Sequence, residues 1–119
     1  MATSCPMNFN VDYLRDQVRN TYDQVAREPN RHYHFHRGPD YAHSFLGYDR
    51  NELAALPALS TERFAGVGNP LAIGPVEPGA TVLDHACGAG MDLLLAARRV
   101  GPDGHAIGID MTPAMLECT

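Results

Sequence analysis

The residues able to do chemistry in this chain are two aspartates set around a run of small side chains. Asp84 ends the apolar stretch Thr81-Val82-Leu83 and opens into His85-Ala86-Cys87-Gly88-Ala89-Gly90, while Asp110 ends a second apolar stretch a helix-sized interval later. A loop of small residues between a strand and a helix lets the backbone approach a ligand closely, and the helix start presents free amide groups to it. Carboxylates at the ends of neighbouring strands can accept hydrogen bonds from the polar groups of the same ligand. This is how a parallel α/β sheet holds an adenosine-containing cofactor.

Rival readings of the loop fit less well. A nicotinamide fingerprint needs a third glycine, but Gly88-Ala89-Gly90-Met91-Asp92-Leu93 has Leu93 there. Asp84 just before the loop suits a cationic amino-acid tail better than a pyrophosphate. No lysine follows the loop, which excludes a nucleotide-triphosphate P-loop. Carboxylates also end strands merely as turn formers, but a pair flanking a glycine loop favours ligand binding. Cys87 reads as a small buried residue rather than a nucleophile, since no base can be paired with it. His32, His34 and His36 would share one face of a strand and could bind zinc. The next candidate ligand, His43, lies past Gly38-Pro39, and a solvated or capping role is preferred. Asn69 reads first as a turn residue and second as a cofactor contact.

Positioning the two aspartates takes a strand, a helix and a second strand. Ala80 to His85 reads as a buried strand, Gly88 to Val100 as a helix with Leu93, Leu94, Ala97 and Val100 on its apolar face, and Ala106 to Asp110 as a second strand. Gly101-Pro102-Asp103-Gly104 supplies the stop between them. Thr112-Pro113 predicts an N-cap followed by proline at the first helical position. Residues 78–119 thus form one βαβ unit with the stub of a further helix, and residues 1–77 form a helical N-terminal extension or lid. In that extension Asp12 to Arg27 reads as an amphipathic helix capped by Asp12, with Leu14, Val18, Tyr22 and Val25 on one face and Pro29 as its stop. Asp40 is expected to cap Tyr41 to Leu46, with Gly47 closing that helix. Asp49 and Glu52 have capping-box form for a short helix ending before Pro57. Ser60 to Ala65 predicts another turn, and Gly66-Val67-Gly68-Asn69-Pro70 a loop.

Composition narrows the partners. A chain of 119 residues fits one small domain, and its net charge of −5 argues against a nucleic-acid partner. No apolar run approaches the ~20 residues of a membrane span. Met1-Ala2-Thr3-Ser4-Cys5-Pro6 has neither the basic nor the apolar region of a secretory leader. Cys5, Cys87 and Cys118, odd in number and widely spaced, do not make a disulfide framework and fit a reducing cytoplasm.

Val82-Leu83-Asp84-His85-Ala86-Cys87-Gly88-Ala89-Gly90 resembles motif I of the Rossmann-like S-adenosylmethionine-dependent methyltransferases, and Ile107-Gly108-Ile109-Asp110-Met111-Thr112-Pro113-Ala114-Met115-Leu116 resembles their second motif. Gly66-Val67-Gly68-Asn69-Pro70 and Val100-Gly101-Pro102-Asp103-Gly104 bring the resemblance closer to the arsenite methyltransferase-like branch. The resemblance implies an α/β fold, S-adenosylmethionine as cofactor and a small-molecule methyl acceptor. It implies cofactor contacts at Asp84, Ala86, Cys87, Gly88, Gly90, Asp110, Met111 and Asn69, with Asp110 on the ribose hydroxyls and Met111 against adenine. A lid role for Tyr22 is a minor implication. The family has glycine where this chain has Ala86, and a left-handed dihedral there would cost about 1 kcal/mol or more. Arsenite-type enzymes hold the metalloid through several cysteine thiolates, yet no cysteine lies between Pro6 and Ala86. The resemblance covers about residues 12–119 and implies that most of the family's sheet lies beyond them. The first strand, normally central in such a sheet, then has one open edge through which self-association is expected. The alternative function is a truncated, non-catalytic cofactor-binding or interaction fragment.

Overall fold

The computed structural model describes residues 10–119. Four helices, α1 (Val11–Arg27), α2 (Gly38–Leu46), α3 (Arg50–Ala54) and α4 (Ala58–Thr61), precede a 3-10 turn at Pro70–Ala72. Strand β1 (Thr81–His85), helix α5 (Met91–Val100), strand β2 (His105–Ile109) and a short helix α6 (Pro113–Leu116) follow. The strands are parallel, pairing Thr81 with His105 through to His85 with Ile109. The expected βαβ unit is present, with each strand within one residue of its predicted limits. Met1-Ala2-Thr3-Ser4-Cys5-Pro6, the segment a secretory leader would occupy, lies outside the described residues. Among the described residues no helix is long and apolar enough to cross a membrane.

The caps differ in detail from the sequence reading. Asn10, not Asp12, caps α1, its Oδ1 accepting from the Tyr13 amide at 3.0 Å. Asp12 sits in the first turn, where its charge suits the helix dipole and pairs with Arg15 at 3.1 Å. Helix α2 starts at Gly38, before the expected cap Asp40, because Pro39 has its φ preset for a first turn. Gly47 ends it in the left-handed region, as expected. Asp49 caps α3 through the amides of Asn51 and Glu52. The Glu52 side chain does not return to close a capping box; it reaches Arg99 of α5 at 3.3 Å. Helix α4 starts earlier than the predicted turn because the Pro57 carbonyl accepts from the amides of both Ser60 and Thr61. Helix α5 starts at Met91 rather than Gly88, the three residues before it being used by the loop.

Two apolar clusters join the extension to the βαβ unit. Met91 and Leu95 of α5 pack with Ala42, Tyr48, Leu53 and Phe64. Val25 and Ala26 at the end of α1 pack with Ala89, Ala114 and Met115. Helix α5 is covered on two sides, by the first cluster and by the two strands. Its fully buried residues are Met91, Leu95, Ala96 and Val100, whereas Leu93, Leu94 and Ala97 of the predicted stripe are only half-buried. Leu93 lies over Gly108 of β2, where an added Cβ would come within 2.6 Å of its Cδ2. The face of α1 is buried only at its C-terminal half, leaving Leu14 exposed.

The expectation that β1 is buried is corrected. Alternate residues point to opposite sides of the sheet, and only the side toward α5 is covered. Leu83 is 61% exposed, with its register partner Ile107 and neighbour Ile109 also open to solvent. The uncovered apolar face and the free edge of β1 predict concentration-dependent association. Leu83→Glu should shift sedimentation toward monomer. An unchanged distribution would place the contact elsewhere.

Candidate functional site

At the C-terminal end of the two strands, between the βαβ unit and the helical extension, lies a cavity of about 680 Å³. That volume suits a small organic ligand, and the strand ends are where open α/β sheets bind one. The βαβ unit contributes Asp84, Ala86, Cys87, Gly88, Asp110 and Met111, among others, so most of the residues marked in the sequence come together. Tyr22 and Val18 of α1, with Ser60, Arg63, Phe64 and Val67, line the other side. Two marked residues are elsewhere. Asn69 caps the 3-10 turn, its Oδ1 accepting from the Leu71 amide at 3.2 Å, and it does not line the cavity. Gly90 caps α5 in the left-handed region, φ 85°, and is not in the lining either.

The loop is held by its own backbone. The Cys87 amide donates to the Ile109 carbonyl at 3.0 Å, and the Gly90 amide to the Cys87 carbonyl at 2.9 Å. Three residues in this stretch have positive φ: Ala86 at 65°, Gly88 at 56° and Gly90 at 85°. Ala86 is the single non-glycine residue in that region among the described residues. The left-handed dihedral costs alanine about 1 kcal/mol or more. Ala86→Gly is thus expected to raise stability by up to ~1 kcal/mol, less the extra chain entropy glycine loses on folding. Ligand affinity should be unchanged or tighter, and a clear loss of affinity by calorimetry would count against this account of the loop.

The two strand-end carboxyls have different tasks. Asp110 is committed to the backbone, its Oδ2 accepting from the Gly88 amide and its Oδ1 from the Thr112 amide, both at 2.8 Å. The Thr112 side chain, expected to cap α6, makes no capping bond. Asp84 is the reverse case, for its Oδ2 is buried with no hydrogen-bond partner among the described residues. Burial first, then the nearby Asp110, raises the Asp84 carboxyl above the usual range, while His85 and the Leu93 amide pull the other way. Cys87 is buried, and burial followed by Asp84 and Asp110 raises its thiol as well. A thiol held protonated is a poor nucleophile, in keeping with the packing role expected of it.

Sequence reading missed three polar residues here. Asp92, in the first turn of α5, lines the cavity and accepts a 2.6 Å hydrogen bond from the Tyr48 hydroxyl. Its position four residues past Gly88 hid it inside the failed nicotinamide pattern. Ser60 and Arg63 belong to α4 and the turn after it, and nothing in their spacing marks them. The histidine run is absorbed by aromatic packing: His36 stacks on Tyr41 and Phe45, and His34 meets the edge of Phe35. Among the described residues no group of metal-ligating side chains assembles.

Comparison with known proteins agrees with this geometry. Residues 76–118 match the methyltransferase domain family. The chain is 52% identical over 71 residues to the arsenite methyltransferase of Halobacterium salinarum, a match covering 60% of this chain and 18% of the relative. It is 52% identical over 40 residues to the demethylmenaquinone methyltransferase of Symbiobacterium thermophilum, covering 34% of this chain and 16% of that one. With the nocamycin O-methyltransferase of Saccharothrix syringae it shares 48% identity over 42 residues, or 35% and 15% of the two chains. No solved structure matches. The chain therefore spans less than a fifth of the length of these curated relatives. The residues that match the methyltransferase domain family are those of the parallel βαβ unit with its glycine loop.

Proposed function

We propose that this chain forms the cofactor-binding start of an S-adenosylmethionine-dependent methyltransferase, of the arsenite methyltransferase-like branch, acting on a small-molecule acceptor. The observation that carries the reading is Asp84. A buried carboxyl oxygen without a partner is costly, and here it belongs to a residue lining a ligand-sized cavity beside the glycine loop. An ammonium group would satisfy it. Asp110 has lone pairs left for ribose hydroxyls after holding Gly88 and Thr112, and Met111, 44% exposed, offers an apolar surface for adenine. When bound, S-adenosylmethionine supplies a methyl group already activated on a sulfonium, so the protein contributes chiefly position and exclusion of water. On this reading the described part of the extension, residues 10–77, covers the cavity and residues 78–119 hold the cofactor. No side chain is assigned to act on the acceptor.

Calorimetry with S-adenosylmethionine tests this directly. Asp84→Asn replaces an acceptor oxygen and a charge, and should weaken binding on the order of tenfold or more. Equal affinity in the variant would remove the ammonium assignment.

A further inference from the structure

The segment that joins α1 to α2 carries the histidine run, which the cofactor reading leaves unused. It borders a second cavity, of about 500 Å³, that shares no lining residue with the first. Arg31, His32, His36 and Arg37 line it with Tyr33, and Glu62 is the one carboxylate in the lining. Most arginines of this acidic chain spend their charge on a nearby carboxylate, as Arg27 does on Asp23 at 2.9 Å. Arg37 does not; neutral groups hold it. Its Nη1 donates to the Glu62 carbonyl at 3.3 Å and its Nη2 to the Arg31 carbonyl at 2.9 Å. Its guanidinium lies over the Tyr33 ring, 4.9 Å from the centroid. The Tyr33 hydroxyl donates to the Glu28 carbonyl at 3.0 Å, so the ring beneath Arg37 is itself fixed. The Arg37 Nε–H and the ring nitrogens of His32 and His36 make no hydrogen bond among the described residues. Arg31 comes no nearer to Glu28 than 4.0 Å, beyond hydrogen-bond range.

We infer that this second cavity is an oxyanion site for a phosphate group. Two guanidinium groups and two imidazoles on one segment bring donors from several directions. That set suits a tetrahedral phosphate, with acceptor oxygens on every side, better than a planar carboxylate. Arg37 loses little freedom on binding, because two carbonyls and the Tyr33 ring already fix it. A bound phosphate gives Arg37 the anionic partner that most arginines of the chain have. The Glu62 carboxylate opposes any anion here, and Glu28 draws on Arg31 from outside the cavity. The cavity is open to solvent, so salt screens the attraction and affinity falls as ionic strength rises. The site stands apart from the cofactor reading, since the two cavities share no residue.

The test titrates the full chain with inorganic phosphate at constant ionic strength and follows backbone amide and arginine Nε resonances. Saturable shifts should appear across residues 30–38 and at the Arg37 Nε, and acetate at the same concentrations should give none. Arg37→Gln should weaken phosphate binding on the order of tenfold or more. Arg31→Gln should weaken it about threefold to fivefold, and Glu62→Gln should tighten it about twofold, as befits screened charges. A loosened loop does not produce a gain of affinity, so Glu62→Gln separates electrostatics from structure. Arg37→Gln also loses its bonds to two carbonyls, so its fold is checked by thermal melting. Arg31, with its side chain 54% exposed, carries the test if Arg37→Gln does not fold. Adenosine monophosphate, with adenosine as its control, identifies the source of the phosphate. Tighter binding than inorganic phosphate places it on a nucleoside, and equal affinity makes it the free ion; either result upholds the site. Phosphate shifts no larger than those from sodium chloride, equal shifts from acetate, or unchanged affinity in Arg31→Gln overturn it. S-adenosylmethionine binding should be the same in Arg31→Gln and Glu62→Gln as in the unaltered chain, so either reading can fail while the other stands.

Discussion

Asp110→Ala is expected to cost about 2–4 kcal/mol of folding stability and to weaken S-adenosylmethionine binding on the order of a hundredfold. The size follows from what the carboxyl group holds. It accepts from the Gly88 amide and the Thr112 amide, both at 2.8 Å, and so ties the glycine loop to the segment leading into α6. Each bond to a carboxylate is worth roughly 1.5–3 kcal/mol, and the alanine variant leaves two half-buried amides without their acceptor. The loop residues it releases include Ala86, whose left-handed dihedral persists only where neighbours impose it. On the proposed cofactor reading, loss of the loop path and loss of the ribose acceptor then add in the binding measurement. Asp110→Asn separates the two. It keeps one acceptor oxygen but turns an amide donor toward the other backbone N–H, so its stability should fall between those of the parent and the alanine variant. Urea midpoints for the three proteins check the order. A midpoint for Asp110→Ala equal to that of the parent would show that the loop is not held from Asp110.

The difference between the two aspartates was not legible in the sequence. Spacing put Asp84 and Asp110 at the ends of paired strands as acceptors for one ligand, Asp84 for a cationic tail and, by resemblance, Asp110 for ribose hydroxyls, but said nothing of what already fills their oxygens. Only the structure separates a residue whose two oxygens are filled by backbone amides from one whose Oδ2 has no partner. The βαβ unit itself was legible because turn residues bracket it: Pro78-Gly79 before, Gly101 to Gly104 between, Thr112-Pro113 after. Its packing was less so. Sequence patterning shows that a strand is apolar but not what lies on each side of it, and Leu83 reads the same whether covered or bare. The stripe on α5 was misplaced for a related reason, since a helix packed on two sides does not bury a single arc. Arg63 and Tyr48 escaped notice because their partners lie far away in the chain. Arg63 meets Ala26 and Tyr48 meets Asp92, contacts that no local spacing announces.

Tyr48→Phe should cost about 2 kcal/mol of stability at neutral pH, a large effect for the loss of one oxygen atom. Tyr48 is 3% exposed, and its hydroxyl lies 2.6 Å from Asp92 Oδ1 and 3.2 Å from the Gly68 carbonyl oxygen. One phenolic proton thus serves a carboxyl group on α5 and a carbonyl of the loop before Asn69, joining the extension to the βαβ unit at the rim of the cavity. Burial raises the tyrosine above its ordinary range, and the Asp92 carboxyl beside it adds to the rise, so the hydroxyl stays protonated as a donor. Burial also raises the Asp92 carboxyl, with the Tyr48 hydrogen bond holding it down and Asp84 pushing it up. Without the hydroxyl the opposing influence disappears, and Asp92 should titrate higher still, as carboxyl carbon resonances would record. The sign of the pH dependence follows. A carboxyl raised in the folded state binds its proton more tightly there, so its stabilising contribution is complete below the unfolded pKa and is lost as pH rises through the folded one. In the parent the tyrosine bond partly offsets the cost of ionised Asp92 at neutral pH, and in the variant nothing does. The stability gap between the two proteins should therefore be widest at neutral pH and narrow as the solution is acidified into the carboxyl range. A gap of the same size at both ends would mean that the lost stability comes from packing or from the Gly68 contact, and that Asp92 plays no part in it.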